Sequence, residues 1–298
     1  MLSFLKNKVD VDLKFNGETV LKMATEKGDF DTVKLMIENS AKETEGVVCI
    51  AVKKRNSKLL KFLLKNEVEC LSKYENWNCL HYACMKNDTR TLSLLIPLCG
   101  SLVNQTGKTP IFNAISDAKS LDMVRILVEH KADVNVLDNQ RCKDFFSISF
   151  LINLFSLKVY NPLFYAVETQ NFEMCKFLVQ KGTTNLGLPA ALAAKLNNMK
   201  ILQFLLDNGA DPDVPAYGQN CAFYACMNRS AKMLRLVLSK GTPLLSDALC
   251  YCSEHDLISL AQILLEEGNA NPNIKNQHSD LPLFVCFFLS FSATFSEF

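Results

Sequence analysis

The chain has 298 residues, 49% of them hydrophobic, and a formal charge of +1 at neutral pH. That apolar content suffices for a core, and the near balance of Lys and Arg with Asp and Glu gives no field of the kind that gathers nucleic acid. No apolar run approaches the ~18 residues of a membrane helix, and Met1 to Asn7 lacks the long apolar stretch of a signal peptide.

The first residues, Leu2 to Asp12, read as the end of a helix followed by an extended turn, so the chain is expected to begin inside a structural unit. A complete unit follows in GETVLKMATEKGDFDTVKLMIEN, two short helices in succession. From there a small residue recurs at Ala24, Ala51, Ala83, Ala114, Ala166, Ala193, Ala225 and Cys252. Five positions ahead of these stand Thr19, Gly46, Asn78, Thr109, Asn161, Leu188, Asn220 and Asp247. All but Leu188 are favourable N-caps, which predicts eight helix starts in phase. An apolar pair marks a second helix in each unit, from Met36-Ile37 and Leu63-Leu64 through to Val237-Leu238 and Leu264-Leu265. In the fourth unit this pair (Leu127-Val128) comes one residue late, which predicts an insertion near Ser120.

Thr109 to Asn135, TPIFNAISDAKSLDMVRILVEHKADVN, is the fullest unit, with Thr capping and Pro in the first turn. Two units are near copies, NCLHYACM at Asn78 to Met85 and NCAFYACM at Asn220 to Met227. No such short helix buries its apolar stripe alone, so the units must stack on one another.

These segments, together with HKADVNVLDN and LLDNGADPDV, resemble ankyrin repeats over nearly the whole chain, residues 1–284. The resemblance implies an all-α solenoid of antiparallel helix pairs with β-hairpin-like fingers, and a surface that binds proteins. The family's TPLH segment survives in part as Thr109-Pro110, Asn161-Pro162-Leu163 and Leu80-His81, where His81 would hydrogen-bond between repeats. Its helix-ending glycine is present as Gly182, Gly209, Gly241 and Gly268, whereas Ser40, Glu67, Cys99 and Lys131 stand there in the first half. Those four are expected to cost some stability, because Gly accepts positive φ most easily.

Anchor spacings of 27, 32, 31, 52, 27, 32 and 27 residues depart from a repeat of about 33. The three short ones predict plain loops, and so gaps in the row of fingers, ahead of repeats two, six and eight. The spacing of 52 points to an insertion, Lys143 to Tyr160, since its removal joins DNQRC to NPLFYAV in phase. The Phe/Ser-rich tail 285–298 has the same character and interrupts a ninth repeat. A membrane-touching segment, a docking segment and translated intron sequence are three readings of these stretches, the last preferred.

Gly107-Lys108-Thr109 fails the phosphate-loop pattern, since Leu102 stands where its first Gly belongs. The four histidines do not cluster, and no acid, base and nucleophile come together, so no enzyme, cofactor or metal site is expected. The twelve cysteines read as small reduced core residues, which favours the cytoplasm or nucleus. Lys53, Lys54 and Arg55 form a basic run on the first helix of repeat two, either a solvated face or a contact to an acidic partner. Tyr74, Trp77 and Tyr217 fall in fingers, which the resemblance implies are used for partners; the alternative for Trp77 is a ring covering its neighbouring repeat. The expected function is a monomeric, non-enzymatic scaffold holding a protein partner, with no nucleic acid and no membrane span. The alternative is a regulatory module of a longer enzyme or channel.

Overall fold

The computed structural model describes residues 11–104, 109–138, 160–241 and 244–275. The stretch 143–159 and the tail 285–298, on which two of the expectations fall, lie outside them. The chain divides into two compact units, residues 1–159 and 160–298.

Each unit holds four helix pairs. In the first they are α1 (Val20–Lys27) with α2 (Phe30–Glu38), α3 (Val47–Lys53) with α4 (Ser57–Lys65), α5 (Cys79–Met85) with α6 (Thr89–Cys99), and α7 (Pro110–Ser116) with α8 (Leu121–Glu129). In the second they are α9 (Pro162–Glu168) with α10 (Phe172–Gln180), α11 (Gly187–Lys195) with α12 (Met199–Asp207), α13 (Cys221–Met227) with α14 (Ala231–Leu238), and α15 (Ser246–Glu254) with α16 (Ile258–Glu266). Within each unit the first helices of successive repeats stack in series, α1 on α3, α5 and α7, and α9 on α11, α13 and α15. No described helix is long and apolar enough to cross a membrane.

All eight anchor residues, Ala24 through Cys252, are buried where first helices meet. Small side chains are needed there because a larger one would hold the stacked backbones apart. Each anchor also has a backbone task. Its carbonyl accepts from the N-cap amide of the second helix, as in Asn56 to Ala51 (3.0 Å), Asp88 to Ala83 (3.0 Å) and Asn198 to Ala193 (2.9 Å). In the fourth repeat the donor is Ser120, six residues beyond Ala114 instead of five, so the predicted extra residue lies in that turn. The residue before each second N-cap has positive φ, and seven of the eight are not glycine: Arg55, Asn87, Lys119, Gln170, Asn197, Arg229 and Asp256.

Six of the eight expected helix starts hold, but those after Leu188 and Asp247 do not. Helices α11 and α15 start two residues early, after Leu186 and Leu245, without a side-chain cap. Both follow anchor spacings of 27 residues, as does α3, which keeps its expected start after Gly46. At the ends of the second helices, Ser40, Glu67 and Lys131 do take positive φ where glycine is usual. Cys99 does not, because α6 runs on into a 3-10 turn, Gly100–Leu102. In the last repeat the left-handed residue is Asn269, one beyond Gly268.

The two units match each other at a constant offset. Phe30 meets Phe62 edge-on at 5.3 Å with Lys58 over Phe30 at 4.0 Å; Phe172 meets Phe204 at 5.5 Å with Lys200 over Phe172 at 3.9 Å. Tyr160, assigned from sequence to the insertion, is buried and packs on Phe164 at 4.1 Å. The repeat therefore begins one residue earlier than its sequence suggests.

Candidate interaction site

Three fingers lie among the described residues. The first is a hairpin of β1 (Lys14–Phe15) and β2 (Glu18–Thr19). The others are single antiparallel bridges, Tyr74 to Trp77 before repeat three and Ala216 to Gln219 before repeat seven. Each turns on two residues of positive φ, Asn16-Gly17, Glu75-Asn76 and Tyr217-Gly218. That geometry follows the right-handed twist of the paired backbones. The links ahead of α3 and α11 carry no strand. At both, the next finger's connection closes over a glycine: a Cβ on Gly187 would lie 2.6 Å from Val214, and one on Gly46 3.3 Å from Tyr74.

Fingers are tied down by residues that sequence reading passed over. The Tyr82 hydroxyl donates to the Tyr74 carbonyl at 2.9 Å, and its counterpart Tyr224 donates to the Ala216 carbonyl at 2.6 Å. The N-cap Asn of three first helices serves twice. Its Oδ1 accepts from the first turn, while its Nδ2 donates to the next link: Asn78 to Leu102 (3.4 Å), Asn161 to Thr184 (3.0 Å) and Asn220 to Leu244 (2.8 Å). Within its own repeat, His81 accepts from the Asn78 backbone amide at Nδ1 (3.3 Å), which completes a capping box.

The missing finger of repeat two leaves a notch of about 420 Å³ between the hairpin 14–19 and the finger 74–77. Its walls carry both charge signs in pairs: Lys14 with Glu43 (2.7 Å), Lys22 with Glu18 (2.9 Å) and, at its margin, Lys53 with Glu75 (2.6 Å). Tyr74 stands among them. Its hydroxyl donates to Glu26 at 2.5 Å, and the Lys22 and Lys53 ammonium groups lie 5.3 and 4.9 Å from its ring centre. The hydrogen bond to Glu26, with burial second, raises the Tyr74 pKa, because ionisation would set two anions side by side. The hydrogen bond from Lys53 holds the Glu75 carboxyl below its usual value. Glu45 and Lys73, both exposed, complete the rim.

The candidate residues divide accordingly. Tyr74 and Lys53 converge on the notch. Trp77 is half-buried on the other limb of the same finger, its ring 5.0 Å from His81 of its own repeat. The basic run is not a continuous helical face: Lys53 ends α3, Lys54 is the exposed C-cap, and Arg55 sits in the turn, donating to the Lys86 carbonyl. Cations at a helix C-terminus are favourably placed against the helix dipole, a structural role in itself. Tyr217 belongs to the second unit, where the Lys195 ammonium lies 3.7 Å from its ring centre.

Paired short helices, buried small anchors and hairpin fingers define a repeat protein of the ankyrin class. The family profile for ankyrin repeats (3 copies) matches residues 48–138 and 190–276, and the chain belongs to that family. Among solved structures it is similar to the ankyrin repeat domain of Bcl-3, a member of the IkappaB protein family. That match has 24% identity and a TM-score of 0.54, over 71% of this chain and 95% of that one. It is also similar to the human ASB11 ankyrin repeat domain, with 18% identity and a TM-score of 0.52, over 79% of this chain and 89% of that one. No curated protein sequence matches it. Ankyrin repeats are in general protein–protein interaction modules.

Proposed function

We propose that the chain is a non-catalytic scaffold that docks a protein partner in the notch between the first hairpin and the finger 74–77. The observation that carries this reading is the notch itself: a cavity of about 420 Å³, a size typical of ligand-accepting sites, framed by two projecting fingers. With Lys53 neutralised by Glu75, the chemistry no longer favours a purely acidic partner. Walls that alternate in sign favour a segment carrying both Lys or Arg and Asp or Glu, which exchanges one set of ion pairs for another. Tyr74 and Trp77 supply the aromatic surface that commonly anchors such contacts.

Site-specific photo-crosslinking in cells tests the reading. A benzophenone amino acid in place of the exposed rim residue Lys73 should capture a discrete partner, and the same probe at exposed Lys61 on α4 should not. Capture at position 61 with none at 73 would refute it.

A further inference from the structure

Repeats two and three bring together thiols that the finger surface does not use. Cys70 lies in the connection below the finger 74–77, Cys79 in the first turn of α5, and Cys99 at the last residue of α6. Cys99 stands at the last residue of α6, directly ahead of the 3-10 turn Gly100–Leu102, with its thiol facing Cys70. The Cys70 and Cys99 sulfurs are 2.6 Å apart, inside the contact distance of two thiols, and Cys79 Sγ is 3.6 Å from Cys99 Sγ. The thiols of Cys79 and Cys99 also face the Cys70 carbonyl, at 3.5 and 3.8 Å. Among the described residues no such group surrounds a point where a metal ion could sit. Of the ten described cysteines, Cys70 alone is not buried, so it is the one a small solute reaches.

We propose that Cys70 and Cys99 form a reversible disulfide by exchange with a low-molecular-weight disulfide. The Cys70 thiolate attacks one sulfur of glutathione disulfide and releases one glutathione. The Cys99 thiolate then displaces the second glutathione from the mixed disulfide. Two protein thiols and one glutathione disulfide thus become one internal disulfide and two glutathiones, with protons and electrons balanced. The new bond joins the base of the finger to the end of α6, and so fixes one wall of the notch. Burial, with the hydrogen-bonded neighbour Cys99 second, pushes the Cys70 thiol to about 12. Thiolate is therefore scarce at neutral pH, and exchange should quicken about tenfold for each pH unit between 7 and 9.

Tryptic mapping of the full chain tests this, because trypsin places the three thiols on separate peptides, 66–73, 74–86 and 91–108. The folded protein is equilibrated with excess glutathione disulfide at about pH 8.5, roughly three and a half units below the Cys70 thiol's value of about 12, and quenched with N-ethylmaleimide. Peptide 66–73 should then be recovered joined to 91–108, with 74–86 carrying maleimide. The buried neighbours Cys226 and Cys252 should stay reduced. Cys70→Ser should remove the linkage while leaving the melting curve of the reduced protein unchanged. Recovery of 66–73 only as its maleimide or glutathione adduct, or of 91–108 joined to 74–86, would overturn the proposal.

Discussion

Removing one hydroxyl from each finger isolates what holds it. In Tyr82→Phe the Tyr74 carbonyl loses its 2.9 Å donor but keeps the Trp77 amide at 2.9 Å. In Tyr224→Phe the Ala216 carbonyl loses a 2.6 Å donor and keeps the Gln219 amide at 3.2 Å. Neither change strands a buried polar group, so the loss is the net worth of one hydrogen bond, about 1 kcal/mol. Because each bond connects a finger to the first helix of its repeat, the loss should be local. Amide exchange at Trp77 in the one variant and Gln219 in the other should rise about fivefold, the Boltzmann equivalent of 1 kcal/mol, while helical core amides change less. Melting should fall by only a few degrees. Tyr224→Phe should show the larger effect, since its bond is shorter and more enclosed. Unchanged exchange at both amides would refute the claim that these tyrosines hold the fingers.

Ala193→Asp places an unpaired carboxylate at a fully buried anchor of α11 and should cost about 3 kcal/mol or more; an unaltered melting temperature would show the repeat register to be wrong. Gly187→Ala pushes a methyl group to within 2.6 Å of Val214 and should destabilise by about 1–3 kcal/mol in urea titration, whereas an unmoved midpoint would mean that the link and the next connection do not touch. Trp77→Ala should weaken binding of a partner captured at the notch by about 2 kcal/mol with the fold kept; a large stability loss with unchanged affinity per folded molecule would make the ring structural. Lys53 depresses the Glu75 pKa, so this contact is complete above the ordinary carboxylate value and lost as pH falls through the depressed one. The Tyr74 ring resonances should therefore not follow this carboxyl through the ordinary carboxylate range and should respond to it only at lower pH. Glu75→Gln should abolish that response, and its persistence would assign it to another group.

The repeat was legible because its signals are local. A capping Asn or Thr, a small anchor five residues on and an apolar pair beyond it each act within a few turns, and all eight pairs follow from them. The gaps in the finger row ahead of repeats two and six were legible too, from spacing alone. The early starts of α11 and α15 carry no mark in the sequence, since neither Leu186 nor Leu245 supplies a capping side chain. Positive φ at Arg55, Gln170 and Arg229 carries no compositional mark, since the anchor carbonyl's hydrogen bond imposes it. The notch was hidden for a different reason. Its pairs, Lys53 with Glu75 and Tyr74 with Glu26, join residues 22 and 48 positions apart, brought together only by the loss of a finger between them.

The duplicated units separate what keeps the fold from what dresses the surface. At the constant offset, the residues that cap, anchor and tie are the same: Asn78 and Asn220, Ala51 and Ala193, Tyr82 and Tyr224, Phe30 and Phe172. Even the lysine beside the finger is matched, Lys53 resting on Tyr74 and Lys195 on Tyr217. The residues that line the notch are not. Glu18, Lys22 and Glu75 in the first unit correspond to Tyr160, Phe164 and Tyr217 in the second. There the rings pack together, Tyr160 on Phe164 at 4.1 Å and Phe164 near Tyr217 at 6.4 Å. The same positions thus carry charged side chains in one copy and packed aromatic rings in the other. Charges at that place are not required for folding, because the sister unit folds without them. That makes the paired charges of the first unit, rather than its helices or caps, the place where the proposed binding would act.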